Sequence, residues 1–158
     1  VSVMAADEAP AWHLRPTRMD DVEQIAFLDL ELFPDEAWTV FQIAAEVEHP
    51  QRRYVSAVTA EDEVIGYAGV MLLGDMADLQ TIGTSRPGRG IGRALLAWCE
   101  DAARNGGADR LLLEVREDNT RARAFYDRAG FTTIGRRTGY YHTARGPIDA
   151  IVMERPLR

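Results

Sequence analysis

The 158-residue sequence contains no lysine, and all 18 of its basic residues are arginine, which reads as a coding bias and not as function. It has one cysteine, Cys99, so no internal disulfide can form. Its three histidines, His13, His49 and His142, do not cluster at zinc-ligand spacing, so no metal centre is expected. Long apolar runs are also missing: Ile65 to Gly74, the longest uncharged apolar stretch, falls far short of the roughly 18–20 residues a spanning helix needs. No membrane partner is expected. The first ten residues carry Asp7 and Glu8 without Lys or Arg, and no apolar run follows, so the default expectation is a cytoplasmic protein without an export signal.

What is present is ordinary for a globular chain. Hydrophobic residues make up 46% and charged residues 27%, and the length suits one core, so residues 1–10 are expected as a flexible tail and 11–158 as a single domain. The net charge of −7 is unevenly spread: residues 1–80 hold 16 acids and 4 arginines, residues 81–158 hold 9 acids and 14 arginines. A basic half in an acidic protein points to a local anion site. The acidic half points either to a cationic partner or to solvated helix faces. No like-charge block is long enough for a nucleic-acid tail.

Ala11 to Arg15 alternates as a short strand before Pro16. Thr17 or Asp20 is expected to cap a helix carrying Val22, Ile25, Leu28 (or Ala26), Leu32 and Phe33, stopped by Pro34. A second helix follows, with Phe41, Ala44, Ala45 and Val47 as its apolar face, ending before Pro50. Tyr54 to Thr59 and Val64 to Leu73 read as a hairpin around Glu61-Asp62-Glu63, and Ala77 to Thr84 as a third strand. The glycine-rich stretch from Arg86 then opens a helix with Ile91, Leu95, Trp98, Cys99 and Ala102 on one face, ending at Asn105-Gly106-Gly107. Leu111 to Val115 is a strand, and Asn119 caps a helix bearing Ala122, Phe125, Tyr126 and Ala129. Phe131 to Ile134 and Ile148 to Met153 are two more strands, joined by a polar, tyrosine-rich connection.

Gly88-Arg89-Gly90-Ile91-Gly92 combines backbone freed of Cβ atoms with a helix N-terminus and the charges of Arg89 and Arg93, a setting suited to a pyrophosphate or to a tight structural turn. No Gly-Lys-Ser/Thr follows, which excludes a Walker loop, and the preceding strands are not a βαβ unit. Cys99 lies on the apolar stripe of its helix and reads as a packed thiol. Tyr126 on such a stripe reads as core on the pattern alone, and Asn119 as a cap.

The run Thr81-Ile82-Gly83, then Gly88 to Leu96, Leu113-Glu114-Val115-Arg116, Asn119, and Ala124-Phe125-Tyr126 with Ala129-Gly130-Phe131 resembles the GNAT N-acetyltransferases over nearly the whole chain. Leu-Glu-Val-Arg, Asn119, Arg136-Arg137 and Tyr140-Tyr141 are similar to the RimI family of ribosomal-protein alanine N-acetyltransferases. The resemblance implies an α/β (α+β) fold: a mixed, mostly antiparallel sheet of about seven strands, helices on both faces, and a pair of strands splayed for acetyl-CoA. Ile82, Gly83, Thr84, Gly88, Arg89, Gly90, Ile91, Gly92, Arg93, Asn119 and Tyr126 are the implied acetyl-CoA contacts. Glu114 is the implied general base and Tyr126 the implied general acid, while Phe33, Trp38, Tyr140 and Tyr141 are the implied acceptor-site residues. The pattern is departed from at Pro87, where Gln or Arg is usual, and in a loop about two residues shorter, with Arg86 the candidate replacement. The implied acceptor is the N-terminal segment of a ribosomal protein. A GNAT enzyme acting on a small amine, antibiotic or lysine side chain shares every cofactor residue, and a CoA-binding module without turnover would need neither Glu114 nor Tyr126.

Overall fold

The computed structural model describes residues 11–158, so the expected tail at 1–10 lies outside the described residues. The chain runs β1 (Trp12–Pro16), a 3-10 turn (Met19–Asp21), α1 (Val22–Leu32), α2 (Val40–Glu48), β2 (Arg52–Thr59), β3 (Val64–Leu73) and β4 (Met76–Thr84). It continues through α3 (Ile91–Asn105), β5 (Arg110–Arg116), α4 (Thr120–Arg128), β6 (Thr132–Thr143) and β7 (Gly146–Pro156). The strands form one seven-stranded sheet in the order β1-β2-β3-β4-β5-β7-β6, in which β4 and β5 run parallel and the other pairs antiparallel. This is the fold that the motifs imply.

Helices cover both faces. Ile25 and Ile43 from α1 and α2 pack with Val58, Val64 and Tyr67 on one side. On the other, Ile91, Leu95 and Cys99 of α3 and Tyr126 of α4 pack over Val55, Ala68, Val70, Leu79 and Leu113. Alternation along β5 buries Leu111, Leu113 and Val115 toward α3 and turns Leu112, Glu114 and Arg116 to the opposite face. Glu114 is therefore not aimed into the core.

One irregularity in β4 sets where the sheet opens. Across β3, Val70 pairs with Leu79 and Gly69 with Thr81, leaving Gln80 without a partner in a bulge. The extra residue switches the pleat, so that Ala77 and Leu79 below it and Ile82 above it all pack against the α3 core. Pairing of β4 with β5 stops at the same place, at Leu79 opposite Leu113. Beyond it the two strands diverge.

Three expectations are corrected. Neither Thr17 nor Asp20 caps α1: the chain first makes the 3-10 turn, the Thr17 hydroxyl bonds Ser56 Oγ at 2.8 Å, and Asp21 precedes the helix. Phe41 does not lie inside; it is 86% exposed, and Ile43 is the buried anchor of α2. The helix is held instead by its N-terminal capping box, in which Thr39 Oγ1 accepts from Gln42 N and Gln42 Oε1 accepts from Thr39 N. The polar connection between the last two strands is itself strand: β6 extends to Thr143 and β7 begins at Gly146, with Ala144-Arg145 as the turn. As an edge strand β6 buries little, so its residues stay polar.

Candidate active site

A cavity of about 850 Å³ opens where β4 and β5 part. Ile82, Gly83 and Thr84 form one wall, and Leu113, Glu114 and Val115 the other. Gly88, Gly90, Ile91, Gly92 and Arg93 close one end, with Asn119 and Tyr126 across from them. Of the residues singled out in the sequence for acetyl-CoA, Arg89 alone stays outside the wall, with an exposed side chain.

The turn before α3 is built by its own backbone. Thr84 Oγ1 donates to Ile65 O at 3.0 Å and accepts from Arg86 N at 3.1 Å, and Ser85 N donates to the same carbonyl at 3.0 Å, which tightens the short loop. Gly88 and Gly90 both sit at φ +79°, where a side chain is strained, and nothing lies within 4 Å of either Cβ position. Gly92 is different: it has ordinary helical φ, and a Cβ there would rest 3.7 Å from Phe125. The first intrahelical bond of α3 runs from Ala94 N to Gly90 O, leaving the amides of Ile91, Gly92 and Arg93 for a ligand. The shape and donors fit a pyrophosphate followed by a narrow extended chain. Sequence reasoning missed Arg121 and Arg128 of α4, which line the same cavity with Arg93. No ion pair engages these three arginines among the described residues, whereas Arg86 reaches Glu63 at 3.7 Å.

At the other end, Phe33, Glu36, Trp38 and Tyr141 line the cavity, while Tyr140 is exposed and outside its wall. The loop carrying Phe33 and Trp38 is pinned from below: Asp29 accepts from Trp38 N at 2.8 Å and from the Tyr67 hydroxyl at 2.6 Å. It is pinned from the side by Arg116, whose guanidinium bonds Asp35 at 2.9 Å and Asp118 at 2.9 Å. Arg116 therefore does not pair with Glu114. Instead Arg137 Nε stands 3.1 Å from Glu114 Oε1. Glu36 has no ion pair or side-chain hydrogen bond among the described residues, and burial, opposed by Arg116, holds its pKa above the usual carboxylate value.

Tyr126 is buried to 7% exposure against Phe125 and Phe131, and burial, with Cys99 next in weight, raises its phenol pKa, so it stays protonated. Burial also pushes the Cys99 thiol up to about 12, as befits a packed residue. Asn119 Oδ1 caps α4 by accepting from Ala122 N at 3.1 Å while facing the cavity. His142 is exposed near the end of β6. Among the described residues no cluster of three or more His, Cys, Asp or Glu can hold a metal ion, and no helix is long and apolar enough to cross a membrane.

Residues 14–131 match the sequence model of the acetyltransferase (GNAT) family. Over 96% of both chains the protein is 36% identical to the N-alpha-acetyltransferase RimI of Mycobacterium tuberculosis. It is also 32% identical to a streptothricin acetyltransferase of Streptomyces lavendulae, over 80% of this chain and 70% of that one. Among solved structures, the ribosomal-protein-S18-alanine N-acetyltransferase of Escherichia coli superposes with a TM-score of 0.82 at 25% identity, covering 92% of this chain and 94% of the other.

Proposed function

The chain belongs to the GNAT family and is an acetyl-CoA-dependent N-acetyltransferase, and from this premise we propose that it acetylates the N-terminal α-amine of a protein, in the first instance the alanine of a small-subunit ribosomal protein. The observation that carries the reading is the 36% identity spread over 96% of both chains with an N-alpha-acetyltransferase. We take residues 11–158 as the one catalytic domain, at work in the cytoplasm where ribosomal proteins are made.

In this reading acetyl-CoA lies in the slot between β4 and β5, its phosphates at the turn before α3 and its pantetheine along Ile82 and Thr84. The free amine enters between the Phe33–Trp38 loop and Tyr141, with Tyr140 at the rim. Its nitrogen attacks the thioester carbonyl, Glu114 takes the proton directly or through a water, and backbone amides near Ile82 and Gly83 stabilise the oxyanion. The C–S bond then breaks, and Tyr126 supplies a hydrogen bond and proton to the departing thiolate. A free α-amine has a pKa of about 7.7–8.0, so an appreciable fraction is neutral without help. No acetyl-enzyme is needed.

The similarity to a streptothricin acetyltransferase supports a second reading, a small-amine acceptor. Incubation of the enzyme and acetyl-CoA with Ala-Arg-, Ala-Glu- and Phe-Arg-starting peptides, an N-blocked lysine peptide and streptothricin, read by mass spectrometry, separates them. The expected order puts Ala-Arg first, because Asp35 is already neutralised by Arg116 while Glu36 is left to meet a basic second residue. Faster turnover of the blocked lysine peptide or of streptothricin than of every free N-terminus would remove the N-terminal reading and leave the acetyltransferase chemistry standing.

A further inference from the structure

Glu114 meets its neighbours across two strands. From β4, Asp78 pairs in register with Leu112, which puts its side chain on the same face of the sheet as Glu114 two residues on. From β6 come Arg137 and Tyr140, delivered by a register shift between Arg137 and Tyr141 at which Gly139 takes φ +63°. That bulge is fixed in place, because Asp149 accepts from Gly139 N at 2.8 Å and pairs with Arg136 at 2.8 Å. It brings Arg137 Nε to 3.1 Å from Glu114 Oε1 and its guanidinium to 5.6 Å from the centre of the Tyr140 ring. The Glu114 carboxylate beside the Tyr140 phenol raises the phenol's pKa. Asp78 feels the opposite surroundings: burial first, then the charge of Glu114, push it up to about 6, and Arg137 and Arg52 hold it down.

We propose that Arg137 is a positioning residue for acetyl transfer, holding the carboxylate of Glu114 at the acceptor end of the cavity and offsetting the repulsion between Glu114 and Asp78. It touches neither the amine nor the thioester. The proton leaving the amine goes to Glu114. Without Arg137 two carboxyl groups are left on one sheet face with no cation at Glu114, and the base loses the contact that fixes its direction. The ring of Tyr140 beneath the guanidinium restrains Arg137 in turn. This proposal rests on Glu114 acting as the base.

A double-mutant cycle tests it with the full chain, acetyl-CoA and an Ala-Arg-starting peptide. Arg137→Ala should lower kcat about three- to five-fold while leaving KM for acetyl-CoA unchanged, the size expected for losing a charge-assisted contact at an exposed site. Arg137→Lys should recover most of the loss, since a cation is restored. In an enzyme already carrying Glu114→Gln, Arg137→Ala should cost less than two-fold, because the group it positions is gone. A wild-type kcat for Arg137→Ala, a loss confined to KM of the peptide, or an equal loss in the Glu114→Gln background overturns the proposal while Glu114→Gln alone still shows its own defect. An undiminished Glu114→Gln enzyme removes the base reading itself, and the proposal with it.

Discussion

The hydroxyl of Tyr67 donates to the carboxylate of Asp29 at 2.6 Å, so a strand of the sheet is bonded directly to the helix that leads into the loop carrying Phe33 and Trp38. Tyr67 is 1% exposed and Asp29 8%, and the other oxygen of Asp29 accepts from the Trp38 amide. The same phenol oxygen lies 3.3 Å from where a Cβ on Gly83 would stand, so the link passes beneath the wall of the cavity. A buried carboxylate with both oxygens engaged makes this a rigid strut between β3, α1 and the loop.

Tyr67→Phe leaves one oxygen of Asp29 buried without its donor and should cost about 1–3 kcal/mol of stability in urea unfolding. With the loop less firmly held, KM for the acceptor peptide should rise several-fold while acetyl-CoA affinity, measured by calorimetry, holds. Equal weakening of both substrates would mean that the strut supports the whole cavity.

The two glycines of the turn should part company on mutation. Gly90→Ala forces a Cβ residue to φ +79° and should destabilise the protein by about 1–2 kcal/mol, whereas Gly92→Ala, with helical φ and a 3.7 Å contact to Phe125, should leave the melting temperature near wild type. Gly90→Val should in addition weaken acetyl-CoA binding by at least about ten-fold, since a branched side chain obstructs the exposed amides. Unchanged calorimetric affinity in a folded Gly90→Val protein would displace the phosphates from this turn.

Glu114→Gln should lower kcat by about 10² or more without changing acetyl-CoA affinity. As pH rises above about 8 the acceptor amine sheds its proton unaided and the defect should shrink, so the mutant and wild-type profiles converge on the alkaline side. Tyr126→Phe should also lower kcat. A Glu114→Gln loss that is the same at pH 7 and pH 9.5 would assign the residue to positioning or folding.

Asp21, at 2% exposure, takes both guanidinium nitrogens of Arg15, at 2.7 and 2.9 Å. Burial pushes its pKa up, but Arg15, the Arg18 amide and Ser56 together outweigh it and hold the folded value below the usual 3.8. The unfolded chain thus binds the proton more readily, so this pair stabilises the fold above the unfolded value and its contribution fades as pH falls through the folded one. Arg15→Met should destabilise the protein by about 3 kcal/mol at pH 7, because a buried carboxylate is left uncompensated. At pH 4 the penalty should be smaller, since a carboxyl without Arg15 can take up a proton. Urea unfolding at the two pH values checks both the size and the sign.

Much of this architecture is legible in the chain because burial writes a pattern. The limits of β3 and the helix after the glycine turn follow from dense apolar residues between turn signals, and the motif order carries the splayed sheet. Where burial is weak the pattern fades. The part of β6 beyond Ile134 reads as a connection because its exposed edge position demands no alternation, and α2 is so short that Phe41 and Ile43 compete for the inner face with nothing local to choose between them. The bulge at Gln80 is invisible for a different reason: it depends on which residue of β3 sits opposite, a long-range relation. Arg137 is likewise found only through space, 23 residues from Glu114 along the chain and 3.1 Å from its carboxylate.

The parting of β4 and β5 also gives the sheet an edge in its own interior. Alternate backbone groups along Gln80 to Thr84 face a gap that the neighbouring strand has left, the others being turned to β3, and exposed strand edges invite pairing with foreign chains. The edge lies in the cavity lined by Ile91 to Arg93 at the start of α3 and by Phe33 and Trp38 of the loop after α1, so what pairs with it must fit between them. Filling the gap should therefore slow amide hydrogen exchange along these five residues and raise the melting temperature in proportion to the logarithm of ligand concentration. The protein with this gap filled should then be a better-knit sheet than the bare polypeptide.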